Sequence, residues 1–528
     1  MKRTKILWIT ALLLGWCFDF LFWKHSFGIN FAIYVGLCLA GGLLVLGRNG
    51  LRPASKSLLL LIPILLFACI TFIRQEPLTL GLAFVLSLGL MSLLAVSFLG
   101  GDWPSYSLTD YVVQSARLVG SLFARPLMFL SETRQPVAAG AASQPRSGWK
   151  RFWAILRGVL IALPVLAIFA ALLSSADLVF AQRLHDFTSL FRLENLPQYL
   201  FRAFYILIAA YALAGIFLHA AQKSRDEQLW SGRPLVPHFL GFTEAAVVLG
   251  AVVALFAAFV VIQFQYFFGA GANIGVQGYT YSEYARRGFG ELVAVAFCSL
   301  LLFLGLSAIV KRQSPAQRWG FSGLGLGMLL LVVVILVSAF QRLLLYEAAY
   351  GFSRLRMYTH VFMIWLGILL AVVVLLDILR QERLFPLIAL LATIGFALTL
   401  ALINVDGSIV QQNVARARTG QDLDVAYLAS LSTDAVPDLV QAFQSPALPS
   451  GIHQAIGAAL ACRSSTNPDQ PDADWRSFTL TRFQAETALK PIQESLKQYK
   501  LQKNSAPVTV TSPAGKKFNC ESYYSSGN

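Results

Sequence analysis

Charged side chains vanish from this chain over distances that only a lipid bilayer explains. No Asp, Glu, Lys or Arg occurs between Glu244 and Glu283, between Arg318 and Arg342, or between Arg383 and Asp406. A helix needs roughly 20 apolar residues to cross the hydrocarbon core. Backbone groups in lipid must be paired within the segment, so helix is the conformation that such runs take. The expected fold class is all-α: a polytopic transmembrane helical bundle of about 11 spans with a small C-terminal extracytoplasmic helical region. The spans are expected near 6–23, 27–46, 57–74, 78–99, 154–174, 202–221, 242–265, 290–310, 321–341, 358–377 and 384–403. The first pair is the least regular, because Asp19, Lys24 and His25 interrupt its apolar run.

Composition supports a bilayer and argues against other solvents. Only 13% of the 528 residues are charged, about half the share found in soluble domains. The net charge of +15 would suggest nucleic acid in a soluble protein. Here no basic cluster with interleaved aromatics lies in a soluble segment, and cytoplasmic loops of membrane proteins collect Lys and Arg. No nucleic-acid partner is expected; the lipid bilayer is. The six cysteines include no CxxC, and the six histidines are scattered singly. No metal site and no cofactor are therefore indicated. Cys17, Cys38, Cys69 and Cys298 fall in apolar runs, where a free thiol behaves as a small hydrophobe.

The bias of Lys and Arg sets the orientation. Lys2, Arg3 and Lys5 precede the first span, and Arg48, Arg52 and Lys56 lie between the second and third. Arg146, Lys150 and Arg151 precede the fifth, Lys223, Arg225 and Arg233 follow the sixth, and Lys311, Arg312 and Arg318 follow the eighth. All fall on one side, which places the N-terminus in the cytoplasm and, with an odd number of spans, the C-terminus outside. The loop 342–357 fits least well, with Arg342, Arg354 and Arg356 against Glu347. The N-terminal run Met1-Lys2-Arg3-Thr4-Lys5 resembles a signal peptide, but bulky Trp16, Phe18, Phe20 and Trp23 occupy the region of a cleavage site. It reads as a retained first span, and Trp16 before Cys17 argues against lipoprotein processing.

The expected organisation is a first transmembrane block at 1–101, an amphipathic interfacial helix at 102–131, a flexible linker at 132–150, a second transmembrane block at 151–403, an extracytoplasmic helical region at 404–502 and a disordered tail at 503–528. In the amphipathic segment Asp110, Gln114, Arg117, Ser121 and Arg125 recur at helical spacing opposite Leu108, Val112, Val119 and Phe123. A helix in a small soluble core is the alternative, but nothing nearby supplies the rest of such a core. In the C-terminal region helices are expected at 422–431, 434–443, 453–462 and 475–500, without a clear repeat period. Cys462 and Cys520 would face an oxidising compartment, so a disulfide between them is a candidate feature.

Charged residues inside spans usually mark ion pathways. Asp19, Glu244 and Asp377 all fall near span ends, which argues against a carrier built around a buried mid-membrane carboxylate. Two outer loops carry the candidate chemistry. One runs from Gly278 to Glu291 and contains Tyr281, Glu283, Tyr284, Arg286, Arg287 and Glu291; the other runs from Arg342 to Tyr358 and contains Tyr346, Glu347, Tyr350, Arg354 and Arg356. Arginine grips phosphate or carboxylate through a planar fork, and tyrosine stacks on a sugar or seals a headgroup. Tyr281, Tyr284, Arg286, Arg287, Tyr346, Tyr350, Arg354 and Arg356 are thus candidates for binding an anionic lipid or lipid-linked substrate. Tyrosine belts and Arg–Glu pairs are also ordinary at membrane interfaces, and that is the competing explanation. Gly323 and Gly327 form GxxxG, which suggests close helix packing. No GxSxG, Walker A or HExxH motif is present.

The runs YSEYARRGFGEL, RLLLYEAAYGFSRLRMY and INVDGSIVQQNVARA…DLDVAYLASLSTDAVPDL, with the opening DFLFWKHSFGINF, resemble the bacterial multi-span membrane proteins grouped as domain of unknown function 4173, related to the 4153 group. That family often has Thr where this chain has Ser353, which keeps the hydroxyl. The resemblance implies a bacterial plasma-membrane location and no established activity, so no catalytic residues carry over. The leading expectation is a non-enzymatic envelope protein that binds or moves an anionic amphiphile at the outer leaflet. A sensor or scaffold that recruits an envelope protein through its C-terminal region is the first alternative. A transferase using a lipid-linked donor is the second, with Glu283, Glu291 and Glu347 as candidate acid/base residues.

Overall fold

In a computed structural model, residues 4–132, 196–222, 239–268, 289–466, 474–502 and 508–520 are described, with Ser224 and scattered positions between 166 and 183. Among them, 10 helices are long and apolar enough to cross a bilayer, and the protein is an all-α integral membrane protein. They are α1 (Thr4–Phe22), α2 (Ile29–Arg48), α3 (Ser55–Ile73), α4 (Pro77–Ser97), α6 (Leu196–Gln222), α7 (Phe242–Phe268), α8 (Phe289–Ile309), α9 (Pro315–Tyr350), α10 (Arg354–Ile378) and α11 (Phe385–Ile403). Between α4 and α6, α5 covers Leu108–Glu132. The span expected at 154–174 and the linker expected at 132–150 lie outside the described residues, save for the last residue of α5 and a few isolated positions.

The chain forms two compact units, Met1–Phe20 with Gly120–Leu218, and Leu21–Val119 with His219–Asn528. In the first unit, α1 packs on α6 through small residues. Ala11, Ala210 and Ala214 are buried together, and a Cβ on Gly15 would lie 2.6 Å from the Ile206 carbonyl. Asp19 of α1 is buried. It accepts from Arg202 Nε at 2.9 Å, with further bonds from Arg202 Nη2 and the Tyr205 hydroxyl. A carboxylate on a membrane helix is tolerated because it is paired in this way.

Within the second unit, α9 packs against α7, α8 and α10, while α10 lies on α11, α11 on α4, α4 on α3 and α3 on α2. Gly325 is where α9 admits a neighbour: a Cβ there would sit 2.3 Å from the Phe303 ring, whereas Gly323 and Gly327 have nothing within 4 Å. Close packing thus falls between the two glycines of the GxxxG pattern. Along α5 the polar residues Asp110 and Gln114 are buried, while Val112 and Phe123 are each 69% exposed. A helix that turns its apolar side outward suits lipid rather than water.

The segment 342–357 is not a loop. α9 starts at a capping box of Ser314 and Gln317 and continues for 36 residues to Tyr350, roughly 54 Å at about 1.5 Å per residue. That exceeds the roughly 30 Å hydrocarbon core, so the charges mark where the helix leaves lipid rather than where it ends. Leu343, Leu344, Leu345, Ala348 and Ala349 sustain it. Gly351 stops it, with φ +82° and an N–H bonded to the Glu347 carbonyl at 2.8 Å.

Asn404 redirects the chain after α11. It takes the left-handed conformation (φ 52°), which Asn adopts more readily than most residues, and α12 (Val405–Arg418) begins at once. There follow α13 (Val425–Ser430), α14 (Val436–Gln444), α15 (Ser450–Thr466) and α16 (Leu480–Leu489). Their core is continuous with the bundle: Val361 of α10 and Leu400 of α11 are buried in one cluster with Val410, Leu439, Ile456 and Val510. At the far side the Ile29 N–H bonds the Phe478 carbonyl at 2.9 Å, and Gly28 has no room for a Cβ beside that oxygen.

The tail expected to be disordered from 503 is ordered over 508–520. Strands β1 (Lys500–Gln502), β2 (Thr509–Thr511) and β3 (Lys517–Asn519) form an antiparallel sheet with Leu501 opposite Val510 and Val510 opposite Phe518. Alternation of Val508, Val510 and the polar residues between them is the signal that the polar composition obscured. Cys462 and Cys520 are joined by a disulfide with Cα atoms 5.3 Å apart, which ties β3 to α15. Closing a loop across 58 positions restricts the unfolded chain by about 4 kcal/mol in the chain-entropy description. Cys462→Ser with Cys520→Ser is therefore expected to destabilise the C-terminal region by up to about that amount. Faster amide exchange in β2 and β3, with α7 to α11 unchanged, is the measurement that checks it.

Candidate functional site

Five of the residues singled out from sequence meet where α9 turns into α10. Glu347 and Tyr350 sit on the last turn of α9, Tyr346 one turn earlier, and Arg354 and Arg356 open α10. The turn itself is held by Asn413 of α12, whose Oδ1 accepts from the Phe352 N–H at 2.8 Å and whose Nδ2 donates to the Phe352 carbonyl at 2.9 Å. Gly351 is required at this point: its positive φ strains any other residue, and a Cβ would lie 2.6 Å from Asn413 Oδ1.

The two α10 arginines have different fates. Arg354 grips Asp406 of α12 in a fork, Nε to Oδ1 at 2.7 Å and Nη2 to Oδ2 at 2.6 Å. Asp406 is fully buried and takes the Ser432 N–H as well, at 2.6 Å. The Arg354 N–H donates to the Tyr427 hydroxyl at 2.8 Å. Arg354 is thus spent on the protein itself. Arg356 instead lies over the Tyr346 ring, 4.1 Å from its centroid, and donates to the Gly351 carbonyl. Next to that turn stands Arg416 of α12, close enough that a Gly351 Cβ would meet its Nε and Nη2 at 3.4 Å. Arg416 Nη1 is buried and has no hydrogen-bond partner. Burial, and then the Arg356 charge, push the Arg416 guanidinium below its ordinary pKa, against a weaker pull from Asp422.

Below this pair the carboxylate of Glu347 is 1% exposed and neither oxygen has a hydrogen bond. His360 Nδ1 stands 3.4 Å from Glu347 Oε1, with its ring edge-on to Phe340. Arg342, one turn back on α9 and also buried, donates to Gln263 of α7 at 2.9 Å, and Ser338 donates to the same oxygen. The site thus carries more guanidinium N–H groups than its one buried, unbonded carboxylate, Glu347, can take up, and that surplus suits holding an anion. Tyr281, Glu283, Tyr284, Arg286 and Arg287 lie outside the described residues. Glu291 is exposed on the first turn of α8.

A second polar layer joins α4 and α10 to the C-terminal region. Glu76 caps α4 by accepting from the Leu78 and Thr79 amides at 2.9 and 2.8 Å, and it accepts the Tyr358 hydroxyl. Asp434 Oδ2 accepts the Gln75 and Glu76 amides, each at 2.8 Å. The sequence argument missed Glu76, Asp406, Asp434, Asn413 and Arg416. The only signal was positional and concerned Asp406, an acid set among apolar residues just after the last span.

Burial pushes the Asp434 carboxyl above its ordinary pKa, although the Gln75 amide, the Arg74 charge and the Glu76 amide pull the other way. The folded protein therefore binds this proton more tightly than the unfolded chain. The residue's stabilising contribution is complete below the unfolded pKa and is lost as pH rises through the folded one. Asp434→Asn keeps an oxygen for both amides and removes the charge. It is expected to match or exceed the parent's stability at neutral pH and to flatten the pH dependence across that window, as read by thermal unfolding in detergent. Asp406→Ala, by contrast, strands the Arg354 guanidinium and is expected to cost about 3 kcal/mol.

Neither the curated proteins nor the solved structures contain a significant match to this chain. A family model, described as Domain of unknown function (DUF4153), matches residues 61–442, a stretch that includes Glu76, Glu347, Arg354, Arg356, Asp406, Arg416 and Asp434. The match is to the 4153 group, the relative named beside the 4173 group to which the sequence motifs pointed. Because the matched stretch covers more than two thirds of the 528 residues, the chain belongs to the DUF4153 family.

Proposed function

We propose that this protein binds the anionic headgroup of an amphiphile, a lipid or a lipid-linked substrate, where the α9–α10 turn meets α12. The observation that carries this reading is the pair Arg356 and Arg416. Two guanidiniums held close enough to repel, one with a buried N–H group lacking an acceptor, are favoured by a bound anion and disfavoured without one. Tyr346 braces Arg356, and Tyr350, 50% exposed, packs beside Tyr346 with ring centroids 4.9 Å apart. An aromatic rim next to cations suits a ligand that is polar at one end and apolar at the other. Arg354 is not among the proposed ligands, because Asp406 occupies its fork. With the N-terminus cytoplasmic, as the Lys and Arg bias indicates, the site belongs to the outer leaflet of a bacterial plasma membrane, and the C-terminal region is extracytoplasmic.

A second reading, a sensor or scaffold, is favoured by one further observation. The C-terminal core is shared with Val361 and Leu400 of the membrane helices, so a partner bound to that region would act directly on α10 and α11. The two readings are compatible if ligand at the turn changes what the C-terminal region recruits.

The test is native mass spectrometry of the detergent-purified full chain beside an Arg356→Gln/Arg416→Gln variant. Both substitutions remove charge and keep side-chain hydrogen-bonding groups. A co-purifying anionic amphiphile is expected on the parent, with occupancy in the variant lower by tenfold or more, the order that loss of one charge-assisted hydrogen bond produces at about 1.5 kcal/mol. An equal adduct on both proteins, with unchanged thermal stability, would exclude this site.

A further inference from the structure

We infer that the second unit carries a separate phosphate-binding cavity at the opposite end of α9. Arg318 and Glu347 lie on the same helix, roughly 45 Å apart at about 1.5 Å per residue, so this cavity and the α9–α10 turn share no ligand. Its volume is about 1050 Å³, enough for a ligand of moderate size. It opens between the ends of α8 and α10 and the starts of α9 and α11, beside Ser105, Ser107 and Leu108.

The floor of the cavity is an internally satisfied ion pair. Arg312 Nη1 meets Asp377 Oδ1 at 2.7 Å, and Nη2 donates to the Ser307 hydroxyl at 2.6 Å. Ser322 donates to Asp377, and the guanidinium lies 4.4 Å over the Phe321 ring. Asp377 is buried and fully used. It neutralises Arg312, whose Nη1 also lies 3.5 Å from Glu382 Oε1.

Around the mouth stand Lys311, Arg318, Arg380 and Arg383, all exposed, against one carboxylate, Glu382. Four cations facing one acid leave a surplus of positive charge on a concave surface. Low-dielectric walls focus such a field toward an anion. One wall is apolar, formed by Trp319, Leu376 and Phe385. A basic pocket between membrane helices with an apolar wall suits a phosphate group carried by a lipid. The same cations would also take a free phosphate compound.

Arg380 gives an independent sign that the rim is built for a purpose. α10 ends in a cap in which the Gln381 N–H reaches back to the Leu376 carbonyl at 2.8 Å and the Arg380 N–H to that of Asp377 at 3.1 Å. The residue in the left-handed position of such a cap is usually glycine. Here it is Arg380, with φ 58°. The backbone tolerates a disfavoured residue at the one place that puts another guanidinium at the mouth, and strain kept in this way clusters at ligand sites.

That same strain supplies the variant. Glycine takes this conformation freely, so Arg380→Gly removes a cation without harming the cap. The experiment titrates the full chain in detergent with phosphatidylglycerol, with phosphatidylcholine and with inorganic phosphate, reading lipid occupancy by native mass spectrometry. Phosphatidylglycerol is expected to bind in preference to phosphatidylcholine. Affinity should fall about fivefold in Arg380→Gly and about 25-fold with Arg383→Gln added, which is about 1 kcal/mol per cation. Thermal stability should be unchanged or higher. If inorganic phosphate does not compete, the ligand is a lipid headgroup. If phosphate displaces the lipid with the same loss in the variants, the site is for a free phosphate compound. Unchanged affinity in both variants, or no preference for either phosphate probe over phosphatidylcholine, overturns the inference. Arg356→Gln/Arg416→Gln serves as the control that separates this site from the α9–α10 turn, since it should leave affinity here intact.

Discussion

The fork between Arg354 and Asp406 is the interaction on which the arrangement of the second unit depends. It joins the first residue of a membrane helix to the first turn of the helix that leaves the membrane on the same side. An ion pair this enclosed gains little net energy over an apolar contact, because both charges lose water. What it provides is geometry. Neither charge tolerates separation, so α10 and α12 have one way to meet. Ser432, Tyr427 and the turn held by Asn413 then fall into place around that contact.

The same geometry determines which arginines remain available. Arg354 and Arg356 look equivalent in the sequence, two positions apart in a basic run. On a helix they point about 200° apart, at roughly 100° per residue. One faces Asp406 and the other the Gly351 turn and Arg416. Selectivity between them therefore arises from helical phase and from a partner about 50 residues further along the chain, in the sense that non-local contacts override local composition.

Much of the fold was legible because bilayer solvation imposes a simple code. Charge-free runs gave helices, and the Gly351 and Asn404 breaks are visible as residues that accept positive φ. The length of α9 was not legible, since Arg342 and Glu347 read as a loop when polarity alone is used to end a span. Helix propensity carries the chain through them. The sheet after residue 500 was hidden for a related reason: strands of three residues with one buried side chain, Val510, leave too short an alternation to stand out. At the α9–α10 turn, arginine and tyrosine content is what the sequence displays. It could not reveal Arg416, whose proximity depends on α12 folding back. The family match ends at 442, so α15, α16, the sheet and the disulfide lie beyond it, while both the Arg354–Asp406 fork and the Arg356–Arg416 pair lie within it.

The hydrogen bond between Ile29 and Phe478 bears on how the molecule is assembled. Its two ends are separated by most of the chain, so the start of α2 enters the membrane long before its partner has been synthesised. Loop closure over that distance is slow to arise by chance, and it becomes efficient only after the intervening helices have brought the ends together. Closure at Gly28, where no side chain larger than hydrogen fits beneath the Phe478 carbonyl, thus belongs among the last events of biogenesis.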